Sequence, residues 1–322
     1  MKATAVTLLV LVMLSGLPAG AQSVISAQSG LINFTQGRVL LNDRPVMQAF
    51  GQLPQMKEQQ TLHTVSGRAE LLLNPGVFLR VGEGSSVRMV SGQLTASKLE
   101  LVSGTVVLEA AEVRKDNAVS LRYRDATISV LKRGLYRLET DPARLRVFEG
   151  KALVESGGRR VEVGKGKAMA FDGSLAVAKF DRKEADALDL WSSRRAAYLA
   201  RVNYSTASML RDGSWSNTSG WWWNPYFGAY TFMPMGGIAY SPYGFYYWNP
   251  NTVRQPYANS GGGGSYQASS MSSGSSASSS PMSAPGSATS LGSSSGRSIS
   301  VGSTMSAPSV PGTASSGRAS SR

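Results

Sequence analysis

Residues 119–156 read VSLRYRDATISVLKRGLYRLETDPARLRVFEGKALVES, and the alternation in this stretch decides the fold. Val119, Leu121 and Tyr123 recur at every second position, followed by Ile128 and Val130, Tyr136 and Leu138, then Leu145 and Val147. A period of two puts alternate side chains on one face of a strand, so one face is buried and the other meets water. Polar breaks carrying Gly or Pro separate the runs, at Lys132-Arg133-Gly134, Asp141-Pro142-Ala143 and Glu149-Gly150-Lys151, where the chain must reverse. Four or five strands in about forty residues leave no room for crossover helices, which predicts antiparallel or coiled β structure. Arg122, Arg124, Arg137 and Arg146 fall on the solvent side of this pattern, and Gly134 sits at a corner where a positive φ is expected.

The same punctuation runs upstream. Gly37 to Leu41 reads as a strand before a turn at Asn42-Asp43-Arg44-Pro45, and Thr61 to Val65 and Arg68 to Leu73 read as two more. Asn74-Pro75-Gly76 is a turn, Val77 to Val81 a strand, and Gly82-Glu83-Gly84 turns again. Further strands lie at 85–90, 99–102 and 104–109. Short strands between closely spaced turns fit a twisted β roll, a sandwich or a solenoid-like stack, and the pattern leaves the three open.

Three pieces of this pattern resemble the FecR-like domain: Ile128-Ser129-Val130-Leu131, Gly134-Leu135-Tyr136-Arg137-Leu138, and Leu145-Arg146-Val147-Phe148-Glu149-Gly150-Lys151-Ala152. Gly134 and Glu149-Gly150 are the distinctive positions, and the likeness extends over about Gly37 to Asp172. The resemblance implies an all-β, extracytoplasmic domain. Namesakes of the family pass a signal from an outer-membrane receptor to a cytoplasmic sigma factor.

The ends of the chain differ from this β region. Lys2, the apolar run Ala5 to Leu14 and the small residues Ala19-Gly20-Ala21 make 1–21 a signal peptide, with a mature chain from Gln22. The expectation is an exported protein, periplasmic or at the cell surface, with no transmembrane helix in the mature chain. A full signal transducer would need a cytoplasmic segment and a membrane helix ahead of the β domain. There is no cysteine, which excludes disulfides, thiolate chemistry and an acylated Cys anchor. Residues 22–180, the expected β domain, carry 22 basic and 15 acidic residues, a net of +7 within the chain's +13. The charges are scattered along alternating positions rather than clustered, which with export argues against nucleic acid.

Beyond the β region, Asp181 and Glu184 have capping-box spacing, and Leu188, Trp191, Arg195, Tyr198, Leu199 and Val202 recur at helical spacing. An amphipathic helix is predicted over 181–205, anchored by Trp191 and tying the β domain to an aromatic segment on its far side. That segment, 206–254, is rich in Trp and Tyr. From Trp215 to Trp248, 14 of 34 residues are aromatic, and its Pro and Gly predict short hairpins or irregular turns rather than a helix. Such rings can stack on sugars, sit at a membrane interface or build a small core. Trp215, Trp221, Trp222, Trp223, Tyr226, Tyr243 and Trp248 are the candidate aromatic binding residues. Residues 255–322 are Ser and Gly with little apolar content, predicting a disordered tail.

No catalytic constellation is visible. His63 is the single histidine and has no second ligand nearby. Glu109 and Glu112 have no paired-carboxylate context, and Gly82-Glu83-Gly84 lacks the Lys and helix of a phosphate loop. The reading is a non-enzymatic protein without cofactor or metal, binding an envelope protein or a cell-envelope polymer. The alternatives are a polysaccharide-binding surface protein and a FecR-type signalling component.

Overall fold

The structure, a computed structural model, describes residues 29–47, 53–114, 116–211 and 218–253. The expected signal peptide over 1–21, the expected disordered tail over 255–322 and Trp215 lie outside the described residues. The first strands are β1 (Leu31–Leu41), β2 (Arg44–Pro45), β3 (Thr61–Leu72), β4 (Val77–Val81) and β5 (Ser85–Ser91). Next come β6 (Ala96–Ser103), β7 (Thr105–Ala110), β8 (Ala118–Tyr123), β9 (Ala126–Val130) and β10 (Gly134–Thr140). The run closes with β11 (Ala143–Glu149), β12 (Lys151–Ser156), β13 (Arg159–Gly164), β14 (Lys167–Ala170) and β15 (Val177–Lys179).

These strands form one sheet, ordered β13-β12-β9-β8-β6-β5-β3-β4-β7-β10-β11-β14-β15, with β1 paired along β3 and β2 paired to β1. Of the architectures compatible with the sequence, this is the roll. The long strand β3 makes the fold-over. Its first half, Thr61 to Thr64, pairs with β5, and its second half, Ala69 to Leu72, pairs with β4. The two flanks therefore face each other across a core of alternating residues, including Leu62, Leu79, Leu108, Leu121, Ile128, Leu138, Val147 and Val154. Between the halves, Gly67 crosses β1 so closely that a Cβ would lie 1.9 Å from the Gln36 carbonyl oxygen. One junction, β6 with β8, is parallel, which β7 permits by carrying the chain to the opposite flank between them.

The distinctive glycines of the sequence pattern meet one another. Gly134 opens β10, and a Cβ there would lie 2.1 Å from the Glu149 carbonyl oxygen and 2.8 Å from the Gly150 Cα. Its φ is not positive, contrary to the expected corner; close backbone approach, rather than handedness, is what demands glycine. Gly150 is the residue with a left-handed backbone, at φ +95°, and it lies beneath the Tyr136 hydroxyl. That hydroxyl donates to the Lys132 carbonyl and accepts from the Lys151 amide at 3.1 Å, closing the crossing, and burial pushes its pKa up to about 12.

After the sheet comes helix α1 (Ala187–Leu210). The helix begins later than the Asp181–Glu184 capping-box spacing suggested and runs past 205 to Leu210. Asp186, not Asp181, is the N-cap, accepting from the Leu188 amide at 2.8 Å and the Asp189 amide at 3.0 Å, while the Asp189 side chain accepts from the Asp186 amide. Asp181 caps only a local turn, accepting from Lys183 at 2.9 Å. Two short hairpins complete the described chain, β16 (Gly220–Asn224) with β17 (Ala229–Met233), and β18 (Ile238–Tyr240) with β19 (Tyr246–Trp248). The aromatic segment is thus regular β structure rather than irregular turns.

Gly134→Val should destabilise the protein by more than about 1 kcal/mol, because the new side chain must displace the 149–150 backbone. Thermal unfolding followed by circular dichroism checks this, and an unchanged melting temperature would contradict the tight crossing of β10 over Gly150.

Candidate functional site

The outer face of the fold-over flank carries the chemistry. Cross-strand pairing lines up Phe34, Glu70, Arg80, Val107, Arg137 and Arg146 in one row, each directly opposite the next. Directly opposed residues share a face. Alternation alone sends this row away from the core, which is why Arg137 and Arg146 read as solvated. Both are buried instead, at 4% and 5% exposure: Arg137 lies against the start of α1, bonded to Asp186 and Asp189, and Arg146 lies against Glu139 and the rings of Phe148 and Phe180.

Arg80 is the centre of the row. Its Nε donates to Glu70 at 3.0 Å and its Nη1 to Glu109 at 2.7 Å, with all three side chains fully buried. Glu70 also accepts from Asn33 at 3.1 Å on β1 and from Arg195 at 2.8 Å on α1. Burial pushes the Glu70 carboxyl up, but Arg195 and Arg80 together outweigh it and hold the group below the usual carboxylate range. Ser241 of the second hairpin donates to Glu109, and Asn33 exchanges hydrogen bonds with the Tyr230 backbone of the first, at 3.0 and 3.2 Å. Two arginines balance two glutamates in a site closed to solvent. At the other end of the row, Arg137 reaches Glu139 at 2.9 Å and Asp189 at 2.7 Å, and also bonds the helix cap Asp186. Arg144 and Arg146 share Glu139 with it. The helix start is therefore set by Arg137 as much as by helix propensity.

Leu188 and Trp191 pack on Val107 beside Phe34, and the Arg195 guanidinium stacks 4.3 Å from the Phe34 ring. Trp191 anchors only this first half of the helix. The hairpins are held by the second half and by the sheet itself. Asn203 donates to the carbonyls of Phe232 at 2.8 Å and Trp248 at 3.1 Å, while Trp221 Nε1 donates to the Leu73 carbonyl at 3.3 Å.

The six described aromatic candidates do not form one platform. Trp221 is buried, edge-on to Phe78 at 5.1 Å and to Phe232 at 6.1 Å. Trp222 and Trp223 are half-buried, the latter tilted against Tyr230. Tyr243 is half-buried with its ring 5.9 Å from Arg80. Tyr226 stands alone at the first hairpin's turn, 82% exposed. Trp248 alone belongs to a connected outer strip. It lies 6.1 Å from Tyr246 and 6.4 Å from Tyr204, and Tyr246 lies 5.3 Å from Tyr240. These three tyrosines are each about half exposed. Composition does not single them out, although alternation in Tyr246-Tyr247-Trp248 separates them: Tyr247 is buried while its neighbours turn outward.

His63 is on β3 with Nδ1 3.1 Å from the Ser85 carbonyl oxygen, opposite Leu40 and Ser86. Glu109 is committed to Arg80, and Glu112 lies near Arg114 at 3.9 Å. Among the described residues no group of three or more His, Asp or Glu could hold a metal ion, and no helix is long and apolar enough to cross a membrane.

A nearly closed, mainly β roll with one docked helix is the class this arrangement defines. The model of the family described as FecR protein matches residues 60–153, from just before β3 into β12, so this part of the chain is similar to a FecR domain. Two crystal structures, each of a candidate anti-sigma factor from Parabacteroides distasonis, are similar to it at 12% and 11% identity with TM-scores of 0.33 and 0.32. The similarity covers 42% and 44% of this chain, which spans 64% and 71% of theirs. No curated protein matches the sequence.

Arg80→Met should cost about 3–5 kcal/mol, since it leaves Glu109 buried without its cation. Replacing its partner as well, Arg80→Met with Glu109→Gln, removes one charge of each sign, leaves Glu70 paired with Arg195, and should recover much of that loss. Urea unfolding of both variants tests the assignment; equal losses would contradict it. The depressed Glu70 pKa adds stability that is present above the ordinary carboxylate range and lost as pH falls through the lowered folded value. Glu70→Gln should accordingly flatten part of the acid limb of a melting-temperature profile, and an unchanged limb would argue against the pairing.

Proposed function

We propose that the protein is a non-enzymatic, exported FecR-type component that acts by binding a partner protein, as part of a signalling pathway across the cell envelope. The match of residues 60–153 to the FecR protein family carries this reading. The buried charges support it from the chemical side. Arg80, Glu70 and Glu109 are spent on one another, and a carboxylate locked in that way is not available to substrate. Surfaces, rather than a cleft, are then what the protein offers. The mature chain should begin at Gln22 and fractionate outside the cytoplasm. In-cell crosslinking should yield a discrete protein adduct, and deletion of the gene should change sigma-factor-dependent transcription. An intact Met1 in the cytoplasm, or a transcriptome unaltered by deletion under envelope stress, would overturn the reading.

A second reading, polysaccharide binding, rests on the outward strip of Tyr240, Tyr246, Trp248 and Tyr204. Each ring stacked on a sugar contributes about 1 kcal/mol, so Tyr246→Ala should weaken retention in polysaccharide affinity gels by roughly fivefold while Trp221→Ala acts through folding instead. Equal retention of wild type and Tyr246→Ala would remove this reading.

A further inference from the structure

The two ends of the rolled sheet leave a seam that the fold itself does not fill. Strand β13 pairs with β12 at one end of the sheet, and β15 pairs with β14 at the other. Yet β13 and β14 are consecutive, joined only by Lys165 and Gly166, so the edges of β13 and β15 diverge from one turn. An edge strand presents unpaired backbone N–H and C=O groups to any extended chain that reaches it. The far end of the seam is bridged by Arg159, whose guanidinium donates to the carbonyls of Gly173 at 2.6 Å and Ser174 at 3.3 Å. Beneath it the lining is apolar. Val163 and Met169 are buried, Val161 is half-buried, and Val177 is 38% exposed although it stands directly opposite Met169.

Three lysines at the seam lack a carboxylate partner among the described residues. Lys167 and Lys179 stand directly opposite each other, and Lys165 occupies the joining turn. Among the described residues no carboxylate lies within salt-bridge distance of these three, whereas nearby Lys151 and Arg160 are paired with Glu162 and Glu155. Like charges directly opposed across strands lower stability, so folding gives no reason for the Lys167–Lys179 pair. An anionic group between them removes the repulsion.

We propose that this seam, between β13 and β15, takes up an extended acidic strand from a partner protein, which adds to the sheet with apolar side chains on Val161 and Val177 and carboxylates at Lys165, Lys167 and Lys179. The proposal rests on the protein-binding reading above and names the surface that would serve it. Backbone pairing supplies affinity in such strand addition, and alternate side chains supply specificity. A second copy of this chain is not the occupant, because its own basic edge would be repelled.

The test uses the full chain and two synthetic peptides with threonine on one face, the other face carrying valine followed two residues on by glutamate in one peptide and by lysine in the other, because Val177 and Lys179 share a face. Hydrogen exchange should slow at residues 159–164 and 177–179 with the glutamate peptide and not with the lysine peptide. Lys179→Glu turns the opposed pair into an attractive one, so its melting temperature should not fall. Its affinity for the glutamate peptide should nevertheless drop by about tenfold, as expected for losing one ion pair and gaining a repulsion. Protection outside the seam, no protection with either peptide, or undiminished binding by Lys179→Glu would each overturn the proposal. A partner protein crosslinked elsewhere on the surface would overturn the seam while leaving the protein-binding reading in place.

Discussion

Arg80 held between Glu70 and Glu109 is the constraint on which the rest of the structure depends. The three residues come from adjacent strands, and a shift of one residue in either pairing would move a charge to the apolar side of the sheet. Desolvating such a group costs far more than an apolar mismatch, so the charges specify register even where their net contribution to stability is small. The same carboxylates reach beyond the sheet. Glu70 takes Arg195 from the helix, and Glu109 takes Ser241 from the second hairpin. One buried site thus sets both the strand register and the position of the layer above it.

That second layer explains the composition of the aromatic segment. The hairpins are short and offer few aliphatic side chains, so Trp221, Phe232 and Tyr247 fill the space over Leu72 and Phe78 by edge-to-face contacts. Large rings bury much area per residue and tolerate the tilted packing that irregular short strands impose. Trp221 is buried in this way, and Trp223 packs against the same cluster. What faces outward is Tyr226 at the first hairpin's turn and the tyrosines beside Trp248.

Much of the fold is legible in the sequence because alternation reports a strand directly. The strands of 119–156, the Asn74-Pro75-Gly76 turn and the FecR-like motif can all be read without coordinates. Alternation reports two faces, however, and not what covers the outer one. Arg137 and Arg146 occupy outward positions and are nevertheless buried, because distant sequence helps to cover them: for Arg137, a helix more than forty residues away supplies two carboxylates, and for Arg146, the ring of Phe180 lies against it. The true helix start is hidden for the same reason. Asp181 and Asp186 are both competent caps, and Arg137 decides between them. Gly134 stands out in the sequence, but the cause of its glycine does not, since backbone crowding from a strand paired across a bulge leaves no local trace. Composition marks the aromatic residues as a group and cannot separate Tyr247, turned inward, from Tyr246 and Trp248.

The central claim is that the charge site couples the helix to the roll as one cooperative unit. A double-mutant cycle between Glu70→Gln and Arg195→Met measures that coupling directly by urea unfolding. The account predicts an interaction energy of about 1.5 to 3 kcal/mol, within the range for contacting residues of one buried network. Additivity of the two substitutions within about 0.5 kcal/mol would mean that helix and sheet meet by apolar packing alone, and would contradict it.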